Sequence, residues 1–448
     1  HPEYEKEVPA LEACFQSPHY TYGYKYIKAA GLLTAEECAK IDGWLASSIR
    51  AAMQYPEWGS HNRAMLRVWA TVLASSVAAP TEEWAYWNKL ADQMALDSVR
   101  GWSIEDAQAY MDLWLIATME YMRYRGREEE YFAMPQARYY FDFIVRLITP
   151  YGQVPDFGDT NFNATWYIWI PILEKGASVY RDGRMKYAAG KLFEFAMKAE
   201  RDPLAPLYGS FLALAHEWAD DSVEPVRPES GSEDVLDDLV GKKIVFRGGW
   251  DEDDTYMLLN YRDEGPYGRT ARKYLRTTIS VRAEKMHHGH SDENAVVLLA
   301  AGGNILLHDG GYREAAPNGK YRADIYHNRL VFRAGSLPAA PASPAANAAA
   351  GETAYMYDAL HDDGSYKFVE TERVHFHAFD RLDYSRTRVR DPHRRLVWDR
   401  LVAFLREENV FIFVDWVKSE ADQTLTAANL WHTAEAELAG GGALRTRI

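Results

Sequence analysis

The segment Met286-His287-His288-Gly289-His290-Ser291-Asp292 brings three imidazoles and a carboxylate into seven consecutive positions. On an extended backbone side chains alternate between faces, so His288, His290 and Asp292 share one face and His287 points away. Imidazoles two residues apart can serve one site, one as a metal ligand and the other as a proton-transfer group. Downstream, Leu307-His308-Asp309-Gly310-Gly311-Tyr312 ends an apolar run with a carboxylate, and Tyr326-His327-Asn328-Arg329 opens another with an imidazole. Two histidines and an aspartate are a normal ligand set for zinc, which takes nitrogen and oxygen at ~2.0–2.2 Å and about four ligands in all. Taken singly, each of these residues reads equally well as a hydrogen-bonded polar group at a strand end.

The first half of the chain carries quieter candidates. Trp58-Gly59-Ser60-His61-Asn62-Arg63 stands at the mouth of a helix, where Asn62 and Arg63 can grip a carboxylate and Trp58 offers a face for a sugar ring. Ser60-His61-Asn62 is equally an ordinary helix start. Gly101-Trp102-Ser103-Ile104-Glu105-Asp106-Ala107-Gln108-Ala109-Tyr110 opens a second helix, and without context Tyr110 is a core tyrosine. Tyr151-Gly152-Gln153-Val154-Pro155-Asp156-Phe157-Gly158-Asp159 is a loop whose glycines and proline fix its shape and whose acids suit helix caps.

These residues must be positioned by two kinds of element. Thr34-Ala35-Glu36-Glu37 is a capping box opening a helix with Cys38, Ile41, Leu45, Ile49 and Met53 on one stripe. Further helical patterns cover 64–78, 81–96, 104–124, 136–147, 166–173, 185–197 and 206–218, joined by short connections as in stacked helical hairpins. A Pro-, Ser- and acid-rich break at 220–234 is a linker signature. Beyond it the period becomes alternating, with strands predicted at 243–247, 256–261, 277–283, 295–300, 304–308, 329–333, 366–373, 394–404 and 410–417. Ala300-Ala301-Gly302-Gly303-Asn304 is a hairpin turn, and 336–351 is a low-complexity loop. The expected organisation is a helical domain over 1–220, a linker over 221–236 and an antiparallel β domain over 237–448.

At 448 residues the chain is long enough for two cores, and 47% hydrophobic with 26% charged residues fits a globular protein. A net charge of −15 argues against a nucleic-acid partner, and no apolar run approaches the ~20 residues that span a bilayer. Local arginines can still line a cleft for an acidic glycan; Arg269, Arg272, Lys273 and Arg276 are scattered candidates. Cys14 and Cys38 could form one disulfide but make no disulfide framework or CxxC metal site, and free, buried thiols are the favoured reading. The first residues lack a signal-peptide pattern, as a processed N-terminus also would.

The order of these motifs resembles the heparinase II/III-like polysaccharide lyases. The resemblance rests on the His61-Asn62 helix, W-S-I-E-D-A-Q-A-Y ending at Tyr110, P-Y-G-Q-V-P-D-F-G-D over 150–159, H-G-H-S-D, G-G-N-I-L-L-H-D-G-G-Y, Y-H-N-R-L-V-F and the late V-F-I-F-V-D-W-V. It runs over most of the chain, and the β-domain motifs are tighter than the helical ones. It implies an α+β chain: an N-terminal incomplete (α/α) toroid and a C-terminal antiparallel β-sandwich. Such sandwiches usually continue beyond the point matching Ile448, so a further C-terminal part is expected. It also implies a secreted or periplasmic protein.

For the site, the resemblance implies that His290, Asp309 and His327 bind a zinc ion that braces the sandwich, and that His288 and Tyr110 exchange protons with the substrate. His61 and Asn62 would engage a uronate carboxylate, with Trp58, Arg63 and Arg269 as further substrate contacts, the two arginines added from charge and position. The implied reaction is β-elimination on an acidic polysaccharide. Asn62 and a protonated His61 would stabilise the charge developing at the carboxylate as the C5 proton leaves. A His or Tyr would take that proton, and a Tyr hydroxyl would protonate the departing O4, leaving a 4,5-unsaturated sugar. The overall acidity leans the expected substrate toward alginate, with glycosaminoglycans next. The rivals are a toroid-type glycoside hydrolase using Glu105, Asp106, Asp156 or Asp159, and a carbohydrate-binding protein without chemistry.

Overall fold

The structure is a computed structural model that describes residues 11–100, 107–160, 165–198, 206–229, 231, 234–263, 290–309, 323–336, 360, 369–434, 436–440 and 443–446. Elements are numbered in chain order among these. The first helix, α1 (Leu11–Ala29), has no counterpart in the periodicity reading: Tyr20, Tyr22, Tyr24 and Tyr26 alternate as in a strand, and Pro18 lies inside the helix. The capping box forms as expected at α2 (Ala35–Met53), where Thr34 Oγ1 accepts from the Glu37 amide at 3.2 Å and the Glu37 carboxylate accepts from the Thr34 amide at 2.8 Å. Cys14 and Cys38 are both free thiols, the first buried and the second half-buried.

The helices that follow are α3 (Asn62–Val77), α4 (Glu82–Val99), α5 (Gln108–Tyr124), the short α6 (Glu128–Phe132), α7 (Pro135–Leu147), α8 (Trp166–Tyr180), α9 (Gly183–Lys198) and α10 (Pro206–Trp218). α3 packs on α1, α2, α4 and α5, α5 packs on α8, and α8 packs on α9 and α10, with α7 against α9. An inner row of α1, α3, α5, α8 and α10 is therefore backed by α2, α4, α7 and α9, making an incomplete (α/α) toroid. Burial follows the rows, for Asn62 through Ala74 of α3 are all buried. α8 runs beyond its predicted end at 173, through Pro171, to Tyr180. Gly176 keeps that last stretch close to α7, since a Cβ there would lie 2.6 Å from the Phe141 ring.

The β domain opens with a five-stranded antiparallel sheet, β1 (Leu236–Asp238), β2 (Lys243–Arg247), β3 (Tyr256–Asn260), β4 (Ala295–Ala301) and β5 (Asn304–His308), in that spatial order. The β4–β5 hairpin turns as predicted, with Gly302 and Gly303 both at positive φ (58° and 73°), the conformation a two-residue hairpin loop demands. Every residue of β2 and β3 is buried. Ile244, Phe246, Met257 and Leu259 face Val402 and Phe404 of a second sheet, whereas Val245, Tyr256 and Leu258 join the helical core. The first sheet is thus covered on both faces, by its sandwich partner and by the toroid. Polar contacts fix the junction: Tyr256 donates to the Leu147 carbonyl and Tyr139 to Asp238, both at 2.6 Å.

The second sheet runs β10 (Val410–Ser419), β9 (Leu396–Leu405), β8 (Leu382–Asp391), β7 (Glu370–Ala378). β8 has no counterpart among the predicted strands because arginines at 386, 388 and 390 occupy its outward face, where Arg386 and Arg388 converge on Asp399 of β9. A two-stranded pair of β6 (Leu330–Ala334) with β11 (Leu425–Asn429) and a hairpin of β12 (Ala436–Gly440) with β13 (Ala443–Thr446) complete the described sandwich. The strand predicted at 277–283 and nearly all of the loop at 336–351 lie outside the described residues. Among the described residues no helix is long and apolar enough to cross a membrane.

Candidate active site

The inner helices α3 and α5 begin at the same end of the toroid. Ser98, near the C-terminus of α4, ties them: its carbonyl accepts from Ser60 Oγ just before α3, and its Oγ accepts from Trp114 Nε1 on the second turn of α5 at 2.8 Å. Both helices start without a side-chain cap, α3 behind His61 and α5 behind Ala107. The first turns carry the positive ends of the helix dipoles, an environment that favours an anion. Tyr110 stands half-buried on the first turn of α5.

His61 is buried, with Nε2 3.1 Å from the Trp58 carbonyl. Burial pushes its pKa down to about 4; Glu57 pulls upward, and the Arg63 and Arg67 guanidiniums push down with the burial. The protonated His61 expected from sequence is therefore corrected: at neutral pH the ring is neutral and offers a dipolar hydrogen bond instead of a full charge. Arg63 is committed to Glu57 by two bonds of 2.7 Å, and Arg67 joins them at 3.1 Å. Burial pushes the Glu57 carboxyl up, but Arg67 and Arg63 overcome it and hold the pKa at about 2. Asn62 Oδ1 accepts from the Arg63 amide at 2.7 Å.

On the same first turn as Tyr110 stands buried Gln108, which the sequence reading did not single out. Its Nε2 donates to Thr160 Oγ1 at 2.9 Å, and its Oε1 accepts from Trp169 Nε1 at 2.9 Å and from Thr165 Oγ1 at 3.4 Å. Gln108 thereby joins the start of α5, the 150–160 loop and the start of α8. That loop then reaches the sandwich. Asp159 Oδ1 lies 2.7 Å from His290 Nε2, and the Asp156 carboxylate lies 2.9 Å from His308 Nε2. Both acids are buried, and burial pushes the Asp156 carboxyl up against the opposing pull of His308. Neither is a helix cap, and both are engaged by imidazoles.

On the sandwich side, the His290–Asp292 stretch is clamped from behind. Asp292 accepts from Asn260 at 2.7 Å, and Arg329 bonds Glu293 at 2.6 Å and the Ser291 carbonyl. His290 and His327 stand with ring centroids 5.7 Å apart, and His327 Nδ1 lies 2.5 Å from Asp309. Among the described residues, the buried His290 Nδ1 and His327 Nε2 have no hydrogen-bond partner. Two imidazole nitrogens left open beside a carboxylate are the donor chemistry of a zinc ligand set. Among the described residues, however, no group of three or more His, Cys, Asp or Glu side chains converges as a metal cage: Asp309 sits on the far nitrogen of His327. His288, Arg269, Arg272, Lys273, Arg276, Glu105 and Asp106 lie outside the described residues.

No protein-family model matches the chain. No curated protein matches its sequence. Solved structures do match its fold. A heparinase III crystal structure superposes with a TM-score of 0.61 over 93% of this chain and 56% of that one, at 13% identity. A heparinase III gene product with methylated lysines superposes at 0.54 over 96% of this chain and 56% of that one, at 14% identity. The chain thus has the heparinase III fold of toroid and sandwich, and spans just over half the length of those structures.

Proposed function

We propose that this chain is the toroid and adjoining sandwich of a polysaccharide lyase that cleaves a uronate-containing acidic glycan by β-elimination. The observation that carries the reading is the bond between Asp159 and His290, which sets His290 of the sandwich against the loop that Gln108 joins to the Tyr110 helix. This link supports a reading in which one proton-transfer group comes from each domain, since removal of a proton from one atom and delivery to another need two groups brought to one substrate.

In this reading the substrate carboxylate binds at the uncapped starts of α3 and α5. Neutral His61 and Asn62 supply directed hydrogen bonds there, strengthened by a site with little water. Arg63 contributes through Glu57, by fixing the start of α3. Tyr110 protonates the departing O4, and His288 takes the C5 proton, although Tyr110 suits either task once its proton is relayed. His290 and His327, with Asp309 beside them, would hold a zinc ion, which when bound would brace the sandwich and polarise the oxygens nearest to it.

The hydrolase alternative has less support: of its acids, the described Asp156 and Asp159 are paired with His308 and His290. For the substrate, the likeness to heparinase III supports a glycosaminoglycan first. Alginate, whose only charge is the carboxylate, is the second arm. Incubation with heparan sulfate, chondroitin, hyaluronan, alginate and pectin, followed by ultraviolet absorbance, tests the proposal: a rise with one of them supports it and names the glycan. Reducing ends without absorbance would replace it with hydrolysis.

A further inference from the structure

On the antiparallel pair of β2 and β3, alternation sets Lys243, Val245 and Arg247 on one face, opposite Asn260, Leu258 and Tyr256. Val245, Leu258 and Tyr256 belong to the helical core, so both cations of β2 point at the toroid. Arg247 donates to the carbonyls of Arg146 and Ile148 at the end of α7, beside the bond from Tyr256 to Leu147. Lys243 meets the same stretch of chain further along, where its ammonium lies 4.4 Å from the centre of the Phe157 ring. Both side chains are buried. A cation within about 6 Å of an aromatic face is held by the ring's quadrupole, more strongly where water is absent.

The ammonium also donates to Asn260 Oδ1 at 2.8 Å and to the Gly241 carbonyl at 3.0 Å. Asn260 in turn donates to Asp292 at 2.7 Å. His290 stands two residues before Asp292, Asp159 stands two residues after Phe157, and these two meet at 2.7 Å. The contacts close a ring through Lys243, Asn260, Asp292, His290, Asp159 and Phe157. The Asp159–His290 bond crosses between the domains on one side of that ring, and the Lys243–Phe157 contact crosses on the other. A single crossing contact leaves two short segments free to pivot about it, whereas a second fixes their relative orientation. Burying an ammonium is costly unless its protons are taken up. Here two of the groups that take them up lead to the site.

We propose that Lys243 is a positioning residue of the candidate site, setting the Asp159–His290 link through Phe157 on one side and Asn260 on the other. That the link serves elimination rests on the lyase proposal above. Lys243→Met keeps an unbranched apolar stem and removes the charge and the donors. Asn260 Oδ1 retains the Arg262 amide at 3.1 Å, so that acceptor is not stranded. Phe157→Leu breaks the same contact from the loop side and leaves the ammonium its oxygen acceptors, which guards against a folding defect in the first variant.

Histidine-selective NMR on the full chain reads the link without any substrate. The His290 imidazole signal, identified by its loss in His290→Ala, is expected to shift in both variants. Elimination of heparan sulfate is read on the same preparations. In Lys243→Met kcat should fall about 10-fold or more, the scale of a lost outer partner of a working histidine, with KM little changed. Added to Asp159→Asn, Lys243→Met should lower kcat almost no further, because both act on one link. The proposal is overturned if the His290 signal stays unmoved in either variant, if the two kcat losses multiply in the double variant, or if kcat only follows the fraction folded. A parent that does not eliminate removes the lyase proposal alone, and the His290 signal then decides the role of Lys243 by itself.

Discussion

Asp159 Oδ1 lies 2.7 Å from His290 Nε2, joining residues 131 positions apart across the boundary between the helical and β domains. The carboxylate fixes the orientation of the imidazole ring through Nε2, and Nδ1 is the atom without a hydrogen-bond partner among the described residues.

Asp159→Asn should therefore disturb ring orientation more than stability. Outer partners of a working histidine are typically worth about 10–100-fold in activity or metal affinity. Turnover is expected to fall by that order while the circular dichroism spectrum stays unchanged. Full activity in the variant would remove Asp159 from the site.

Gln108→Leu tests the support of the Tyr110 helix. The substitution leaves Trp169 Nε1 and Thr160 Oγ1 buried without their present partner. A stranded buried group costs on the order of 1–3 kcal/mol. Thermal unfolding should show a lower midpoint, and activity should fall further than the fraction folded explains. A variant with the parent's midpoint and turnover would show that Gln108 supports nothing.

The fold was readable where pattern and burial agree. Strands buried on both faces, such as 243–247 and 256–260, are short apolar runs between turn residues, and the Gly302-Gly303 turn follows from its backbone requirement alone. β8 was hidden because charged Arg386, Arg388 and Arg390 fill its outward face, two of them on Asp399, and α1 because alternating tyrosines imitate a strand. His290, Asp309 and His327 were visible as residue types at strand ends. Their partners were not, since Asp159 and Asp156 reach His290 and His308 only through the docking of two domains, which no local spacing encodes. The neutral state of His61 likewise depends on burial beside Arg63 and Arg67.

That neutral state has a pH signature. The folded pKa of about 4 lies below the ordinary 6.5, so the unfolded chain binds the His61 proton first. Its contribution to stability is full above pH 6.5 and is lost as the pH falls toward 4, on the order of 3 kcal/mol in all. Glu57, held at about 2 against an ordinary 4.5, adds a second loss between those values. Denaturant midpoints for the parent and His61→Gln should converge as the pH falls from 6.5 to 4. Parallel curves would contradict the buried neutral ring.

Glu57→Gln leaves Arg63 and Arg67 buried without their counter-ion. Breaking one side of such a cluster costs roughly 3–5 kcal/mol. A large drop in melting temperature is expected, and a change below ~1 kcal/mol would return Arg63 to the substrate-contacting role.

The zinc proposal is checked by elemental analysis and by melting with and without a chelator. His290→Ala is expected to lose bound zinc and to melt at the lower temperature of the chelated parent. Metal content equal in parent and variant, or a chelator without effect, would remove the ion from this account.

The central claim is elimination across a site shared by the toroid and the sandwich. The measurement that tests it most directly counts ultraviolet-absorbing ends and reducing ends in one digest of heparan sulfate, for the parent and Tyr110→Phe. The account predicts one unsaturated end for each new reducing end, and loss of both in the variant while its melting temperature holds. New reducing ends without absorbance, or a variant that cleaves at the parent's rate, would contradict it.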